Sequence, residues 1–295
     1  MPTKNILQKL TPYGFLAPAL IILGFALVYP VISSLNLSLF SWRLGTPWKT
    51  AVFRGFGNYV DLLESPFFYT SLRVTFIFTG TVVVAELGIG LALALLLEQK
   101  MRGLRIFRTL FVLPIMIAPV VVGVIWRLLY DPSFGLINYF LKLIAIAPRL
   151  WLAQPSLALT SIIITDIWQW TPFVFILILA GLQGLPHECI EAGVVDGASA
   201  IQTLRYIKLP LLKPIIGVTV LLRLIDAFRG LVVMFIMTFG GPGMSTQILS
   251  LHIYKTAFVS YRLGLACAIA VILLVIILLF SMVLLSIMRP ATSRR

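Results

Sequence analysis

Glu191-Ala-Gly-Val-Val-Asp196-Gly197-Ala-Ser-Ala-Ile-Gln-Thr-Leu-Arg-Tyr-Ile-Lys-Leu-Pro210 is a polar island between two long apolar runs. It is too amphipathic to span a membrane and too regularly patterned to be a slack loop. Leu185-Pro186 precedes it, and proline suits the first turn of a helix. Ala192, Val195, Ala198 and Ser199 recur at helical spacing. Gly193 and Gly197 stand four apart, so one face is bare enough for another backbone to approach. Gly197 can also supply the bend at which one short helix stops and a second begins. Leu209-Pro210 is expected to end the second helix. The whole reads as a compact helix-Gly-helix knob, suited to plugging into a partner. The plainer alternative is an ordinary amphipathic loop between spans.

The rest of the chain sets the knob in a membrane. Of 295 residues, 60% are hydrophobic and 11% charged, and mean hydropathy is +1.05. That composition excludes a soluble domain and fits a polytopic, all-α membrane protein. The net charge of +13 would suggest nucleic acid in a soluble protein. Here the basic residues flank apolar runs, so membrane topology accounts for them and no nucleic-acid partner is expected. Cys189 lies in the island and Cys267 in the last apolar run, which argues against a disulfide. His187 and His252 stand alone, and no metal spacing or cofactor motif is present.

Six apolar runs are read as spans, at about 13–39, 72–97, 109–129, 157–182, 211–238 and 263–288, with the island at 185–210 between the fourth and fifth. The first run is too long for a signal peptide and lacks a clear cleavage site. Residues 41–71 are rich in aromatic rings, including Trp42, Trp48, Phe53 and Phe56, which favour the membrane-water boundary. Six spans put both termini on one side. That side holds Lys4, Lys9, Lys100, Arg102, Arg105, Arg108, Arg205, Lys208, Lys213, Arg289, Arg294 and Arg295, against eight basic residues spread over the longer opposite loops. The positive-inside rule makes the island and both termini cytoplasmic.

Five ionisable residues fall well inside the spans: Glu86, Asp166, Arg223, Asp226 and Arg229. Each costs about 2.5–3.5 kcal/mol on insertion scales if it faces lipid, so each must face protein, water or another charge. Arg223, Asp226 and Arg229 are spaced i, i+3, i+6; either arginine can neutralise Asp226, and the set can equally line a pathway. Glu86 reads most simply as a helix-helix contact. Asp166, Trp168, Gln169 and Trp170 form a polar-aromatic cluster apt for a sugar, whose C–H faces stack on indoles and whose hydroxyls need paired donors and acceptors. Packing against other helices would also explain the tryptophans. Pro172 can loosen that helix toward a cavity. No Gly-x-x-x-x-Gly-Lys-Ser/Thr phosphate loop and no nucleophile-base arrangement is present.

Glu191-Ala192, then Asp196-Gly197-Ala198, then Ile207-x-Leu209-Pro210 resembles the EAA loop of permease subunits of type I ABC importers, in the sugar-type (maltose-permease-like) form. Gly193 departs from it, standing where that form has alanine; glycine weakens a helix by up to about 1 kcal/mol against alanine. Arg108-Thr-Leu-Phe-Val-Leu-Pro114, Trp126-Arg127, Asp131-Pro-Ser-Phe-Gly135-Leu-Ile-Asn138 and Gly240-Gly241-Pro242-Gly243-Met-Ser-Thr246 extend the resemblance over nearly the whole chain. It implies a non-enzymatic prokaryotic inner-membrane permease, half of a carbohydrate pathway working by alternating access. It implies as partners a second permease subunit, two ATP-binding cassette subunits docking on 185–210, an extracytoplasmic binding protein and membrane lipid. Glu191, Ala192, Asp196, Gly197, Ala198 and Pro210 would couple to the ATPase. Substrate contacts would come from Asp166, Trp168, Gln169, Trp170, Arg223, Asp226 and Arg229. Two rivals are an ABC permease for a polyol or glycerol phosphate, and an ion-coupled carrier or membrane enzyme that relays protons through Glu86, Asp166 and Asp226. A carrier would transport without any ATPase.

Overall fold

The computed structural model describes residues 3–98 and 104–288. Lys100, Arg102, Arg289, Arg294 and Arg295 lie outside the described residues, as do the side chains of Lys4, Lys9 and Arg105. The chain divides into two compact units, residues up to 65 with 253–272 and residues 66–252 with those from 273 onward.

In the first unit, α1 (Thr3–Leu37) runs into a short hairpin, β1 (Phe40–Ser41) with β2 (Val52–Phe53), paired antiparallel as Phe40↔Phe53 and Ser41↔Val52. The pair is the one two-stranded sheet in the otherwise helical chain among the described residues, and the aromatic loop builds it. Phe40 packs against Trp48 and Phe53, and Trp42 meets Trp48 edge-on. Buried Asn58, on α2 (Gly57–Leu63), donates to the Ser38 and Phe40 carbonyls at 2.7 and 2.9 Å, which satisfies backbone that the end of α1 leaves open.

In the second unit, α3 (Pro66–Leu96) and α7 (Pro155–Gln183) form the centre. At 1.5 Å per residue, α3 is about 46 Å long, more than a bilayer's hydrocarbon needs. Its buried residues Phe68, Ser71, Thr75, Phe78, Val82, Glu86, Gly90 and Ala94 make one stripe at helical spacing, while Ile77 and Val84 stay exposed. An apolar helix with one stripe against protein and the rest uncovered fits a helix that faces lipid. α7 is buried over most of its length. Gly90 lets the two helices touch: a Cβ there would stand 2.7 Å from Val174 and 3.1 Å from the Phe175 nitrogen. Ala94, Phe175, Ile178, Leu182 and Leu212 complete this core.

Helices long and apolar enough to cross a membrane are Phe15–Leu37, Pro66–Leu96, Pro155–Gln183 and Leu263–Met288, the last being α13. The expected third span is instead two helices, α4 (Leu104–Met116) and α5 (Pro119–Leu129), bent by 97°. Ala118 precedes a proline, which disfavours helical backbone, and it is extended at ψ 136°. The expected fifth span also breaks. α10 (Leu209–Phe228) ends at Arg229-Gly230, and α11 (Leu231–Met237) follows and packs on α5. Pro210 does not end a helix as expected. It lies in the first turn of α10, after a helical stretch without a break, α9 (Ala200–Gln202) and widened π-type turns over Thr203–Lys208. A widened turn accommodates a proline that can donate no hydrogen bond of its own. α7, by contrast, runs through Pro172 without interruption.

Between α5 and α7, the stretch Asp131 to Asn138 is a structural stitch around α6 (Leu136–Leu143). Asp131 accepts from the Ser133 and Phe134 amides. Buried Asn138 donates to the Arg149 carbonyl and accepts from the Arg149 amide and the Trp151 indole, at 2.9–3.0 Å. α8 (His187–Val195) carries the first half of the island. Further on, the Gly240–Thr246 loop closes on itself, with Thr246 donating to the Gly241 carbonyl and bonded to Thr238. α12 (Leu249–Tyr254) then starts on the Thr75 hydroxyl, which accepts from the Leu249 amide at 2.8 Å.

Gly90→Val should force α3 off α7, an overpacking cost of about 1–3 kcal/mol. The expected result is a lower melting temperature for the detergent-solubilised protein. An unchanged value would show that the close approach at Gly90 is dispensable.

Candidate functional site

α3, α7 and α10 each bring a carboxylate to one guanidinium. Arg223, on α10 and 1% exposed, donates Nε to Glu86 Oε2 at 2.6 Å and Nη2 to Glu86 Oε1 at 2.8 Å. Nη2 also reaches Asp166 Oδ2 on α7 at 2.9 Å, and Nη1 reaches Asp226 Oδ2 at 2.7 Å. The Trp170 ring lies 4.8 Å from the guanidinium carbon, within cation–π range. Three carboxylates on three edges of a planar fork is a geometry that lysine cannot reproduce. Glu86, read from the sequence as a plain helix-helix contact, is the bidentate partner of the group. Its signal was present: a carboxylate in a span with no basic residue on its own helix turn must find one on another helix.

A cavity of about 110 Å³ adjoins the cluster, lined in part by Asp166, Gln169, Trp170, Asp226 and Arg229. Asp166, Gln169 and Trp170 fall at i, i+3, i+4 and share one face of α7. Trp168 does not share it. It is 40% exposed and packs edge-on against Trp126 at 5.6 Å, so it stands apart from the other members of the sequence cluster. Asp226 keeps 48% of its side chain exposed while bonded to Arg223. Arg229 caps α10, is exposed, and joins none of the ion pairs among the described residues, so Asp226 is neutralised from Arg223 alone.

Both helix breaks of the second unit reach this cavity, through Pro119 on one side and Gly230 with Leu231 on the other. Gln169 spans to the first break and donates its Nε2 to the Ile117 carbonyl at 3.2 Å. That bond orients the amide and leaves Gln169 Oε1 buried without a protein partner, a free acceptor on a cavity-lining residue.

The island forms a second candidate site. α8 ends in a glycine cap: Gly197 has φ +80°, its amide reaches the Val194 carbonyl, and the Ala198 amide reaches the Gly193 carbonyl. Asp196 is the last near-helical residue. The bend expected at Gly197 is therefore present, but Ala198 and Ser199 lie beyond it and do not continue the Ala192 face. Ser199 opens the next helix with a reciprocal cap: its hydroxyl accepts from the Gln202 amide and its own amide donates to Gln202 Oε1. Gly193 is buried, and a Cβ there would collide with the end of the Ile207 side chain. Glycine in place of alanine is thus the fit for Ile207. Glu191, Ala192, Asp196 and Pro210 are exposed, as are the apolar Val194, Val195, Ile201 and Tyr206, with Val195 at 87%.

The second unit thus combines a charged, buried centre with a knob whose Val194, Val195, Ile201 and Tyr206 are exposed. Residues 87–289 match the family described as binding-protein-dependent transport system inner membrane component. The chain is 38% identical over 271 residues to a probable ABC transporter permease of Sinorhizobium fredii, covering 92% of this chain and 87% of that protein. It is 35% identical over 280 residues to the trehalose/maltose transport system permease protein MalF of Thermococcus litoralis, covering 94% and 93%. Among solved structures, it superposes with a TM-score of 0.84 on a chain of a bacterial ABC transporter that imports the acidic polysaccharide alginate, at 24% identity and over 98% of this chain and 99% of that one. The chain belongs to the binding-protein-dependent inner-membrane permeases of ABC importers. It is a multi-pass membrane protein with the type I importer permease fold.

Removing Arg223 strands three carboxylates. Arg223→Leu should cost about 3–5 kcal/mol, the range for breaking a buried ion pair from one side. Arg223→Lys should recover only part of it, because one ammonium cannot reach all three edges. Melting temperature and yield of the solubilised protein are the readouts; a stable Arg223→Leu variant would show that the carboxylates do not depend on it.

Proposed function

We propose that this chain forms half of the membrane pathway of an ATP-driven importer for a neutral carbohydrate, worked by alternating access and supplied by an extracytoplasmic binding protein. The observation that carries the reading is the cavity lined by Trp170, the Gln169 amide and the half-exposed Asp226 carboxylate. An aromatic face beside hydroxyl acceptors is the chemistry of sugar binding. At about 110 Å³ the cavity is well below the roughly 300–1,000 Å³ of a complete small-molecule pocket, which suits a site completed by a second permease subunit. Relatives named for trehalose and maltose transport support the same class.

Charge supports a neutral substrate over a glycerol phosphate. Glu86, Asp166 and Asp226 face Arg223, with Arg229 at the cavity wall, so three carboxylates meet two guanidiniums. A phosphate would enter a formally negative site.

The six spans are α1, α3, the bent pair α4–α5, α7, the broken pair α10–α11, and α13, with both termini and the 185–210 knob cytoplasmic. Lacking a phosphate loop of its own, the chain would take its energy from two ATP-binding cassette subunits. Val194, Val195, Ile201 and Tyr206 give the knob an uncovered apolar surface, and exposed apolar patches of this kind mark docking sites. Glu191, Ala192, Asp196 and Ala198 surround it, and Gly197 sets its bend.

Two experiments test this. In the reconstituted importer, Trp170→Ala or Gln169→Ala should lower trehalose or maltose uptake at least about tenfold, the loss expected from ~1.4 kcal/mol. Trp168→Ala should have a smaller effect, and equal effects at all three positions would favour simple packing. Ala192→Trp and Gly197→Val should leave an inserted permease that no longer co-purifies its ATPase, the latter because left-handed backbone costs a side chain about 1–2 kcal/mol. If both retain the ATPase, the knob is not the docking element.

A further inference from the structure

One largely buried ion pair of the second unit lies away from the Arg223 cluster and has no part in the site described. Lys208 Nζ donates to Glu98 Oε2 at 2.6 Å, with side chains only 19% and 23% exposed. Glu98 closes α3 at the end nearest the knob, and Lys208 is the last residue of the widened turns that lead from the knob into α10. The same end of α3 is gripped a second time, by Arg108, whose Nη2 donates to the Leu97 carbonyl at 2.7 Å.

The two ion pairs between α3 and α10 are in antiparallel register. Glu86 meets Arg223 and Glu98 meets Lys208. The members are about 18 Å apart along α3 and about 22 Å apart along α10 at helical rise. Leu212 lies between them on α10, fully buried in the core that holds Ala94 of α3. Two helices pinned by charge at both ends and packed between move together. The widened turns decide which face Lys208 takes: an α-helix rotates each residue by about 100°, so one extra residue in a turn re-aims everything after it by that amount. The wide turn therefore brings Lys208 to Glu98 and accommodates Pro210 at one stroke.

We infer that Glu98 and Lys208 are positioning residues that lock α3 and α10 into one strut, carrying motion of the knob to the Arg223 cavity. The inference rests on the docking reading of the knob. Without the latch, the ATPase still seats and hydrolyses ATP, but the cavity end of α10 no longer follows.

The test uses the complete importer in proteoliposomes, with Cys189 and Cys267 replaced by serine and a reporter cysteine at Leu231 on the cavity wall. The rate of maleimide labelling at position 231 is measured with and without ATP, beside ATP hydrolysis and co-purification of the ATPase. With the latch intact, ATP should change the labelling rate. In Glu98→Ala or Lys208→Ala that change should shrink by roughly fivefold or more, while the ATPase remains bound and active. Glu98→Lys combined with Lys208→Glu should restore it, which a loss of general stability would not. Full transmission in either alanine variant, failure of the reversed pair to restore it, or no ATP effect with the latch intact overturns the proposal. Ala192→Trp is run alongside and reports on docking itself: if it keeps the ATPase, the knob reading fails and the strut falls with it, whereas loss of ATPase from Ala192→Trp alone separates docking from transmission.

Discussion

A buried guanidinium cannot be left without counter-charge, and the second unit is arranged around that constraint at Arg223. Apolar packing selects weakly among helix arrangements in a bilayer, since lipid tails are as apolar as leucine. Arg223 selects strongly. Its planar fork presents fixed directions, and Glu86, Asp166 and Asp226 occupy three of them from α3, α7 and α10. Satisfying the charge thus fixes the rotation and height of three helices together. Gly90 and Gly181 then permit the approach that the charges demand, one against Val174 of α7 and the other against Ile215 of α10. Small residues at contacts and a shared polar centre are complementary: the first sets how near the helices come, the second which faces meet.

The knob obeys a different rule because most of its side chains are exposed. Its helices are short, so their ends matter more than their middles. α8 is stopped by the glycine cap at Gly197, and its successor is started by the Ser199–Gln202 box within two residues. The result is a tight corner with the Gly197, Ala198, Ser199 and Gln202 amides engaged and Val194, Val195 and Ile201 left outside. A loop stabilised by burial would hide Val194, Val195 and Ile201. One stabilised by its own caps can afford to present them.

Much of this was legible in the residues. The long apolar helices α1, α3, α7 and α13 followed from hydropathy, the Gly197 bend from glycine's access to left-handed backbone, and the need for pairing from the cost of a lone buried charge. What was hidden shares a cause, which is dependence on partners far along the chain. Trp168 and Trp170 look alike in sequence, yet two residues of helical rotation send one toward Trp126 and the other over Arg223. Glu86 finds its arginine 137 positions away. Gly193 looked like a weakened alanine until Ile207 occupied its missing side chain. The prolines misled differently. Pro172, read as able to loosen its helix, leaves α7 uninterrupted, while Pro119 stands at a 97° break. Pro210 opened a helix that it was expected to close.

The two broken helix pairs, α4–α5 and α10–α11, show where the fold concentrates its irregular backbone. Non-helical chain at membrane depth survives only where protein or a cavity satisfies it. Ile117–Ala118 and Arg229–Gly230 are far apart in sequence, yet the residues that follow each break line one cavity. Gln169 closes the first break with one end of its amide, while the other end stays buried without a protein partner. Asp226 does the same for charge, holding Arg223 while half of its side chain stays exposed. Each of these residues is thus committed to the scaffold on one side and uncommitted on the other. Under the proposed function, a substrate reaching this cavity would meet side chains already held by the broken backbone, which would tie occupancy of the cavity to the two breaks.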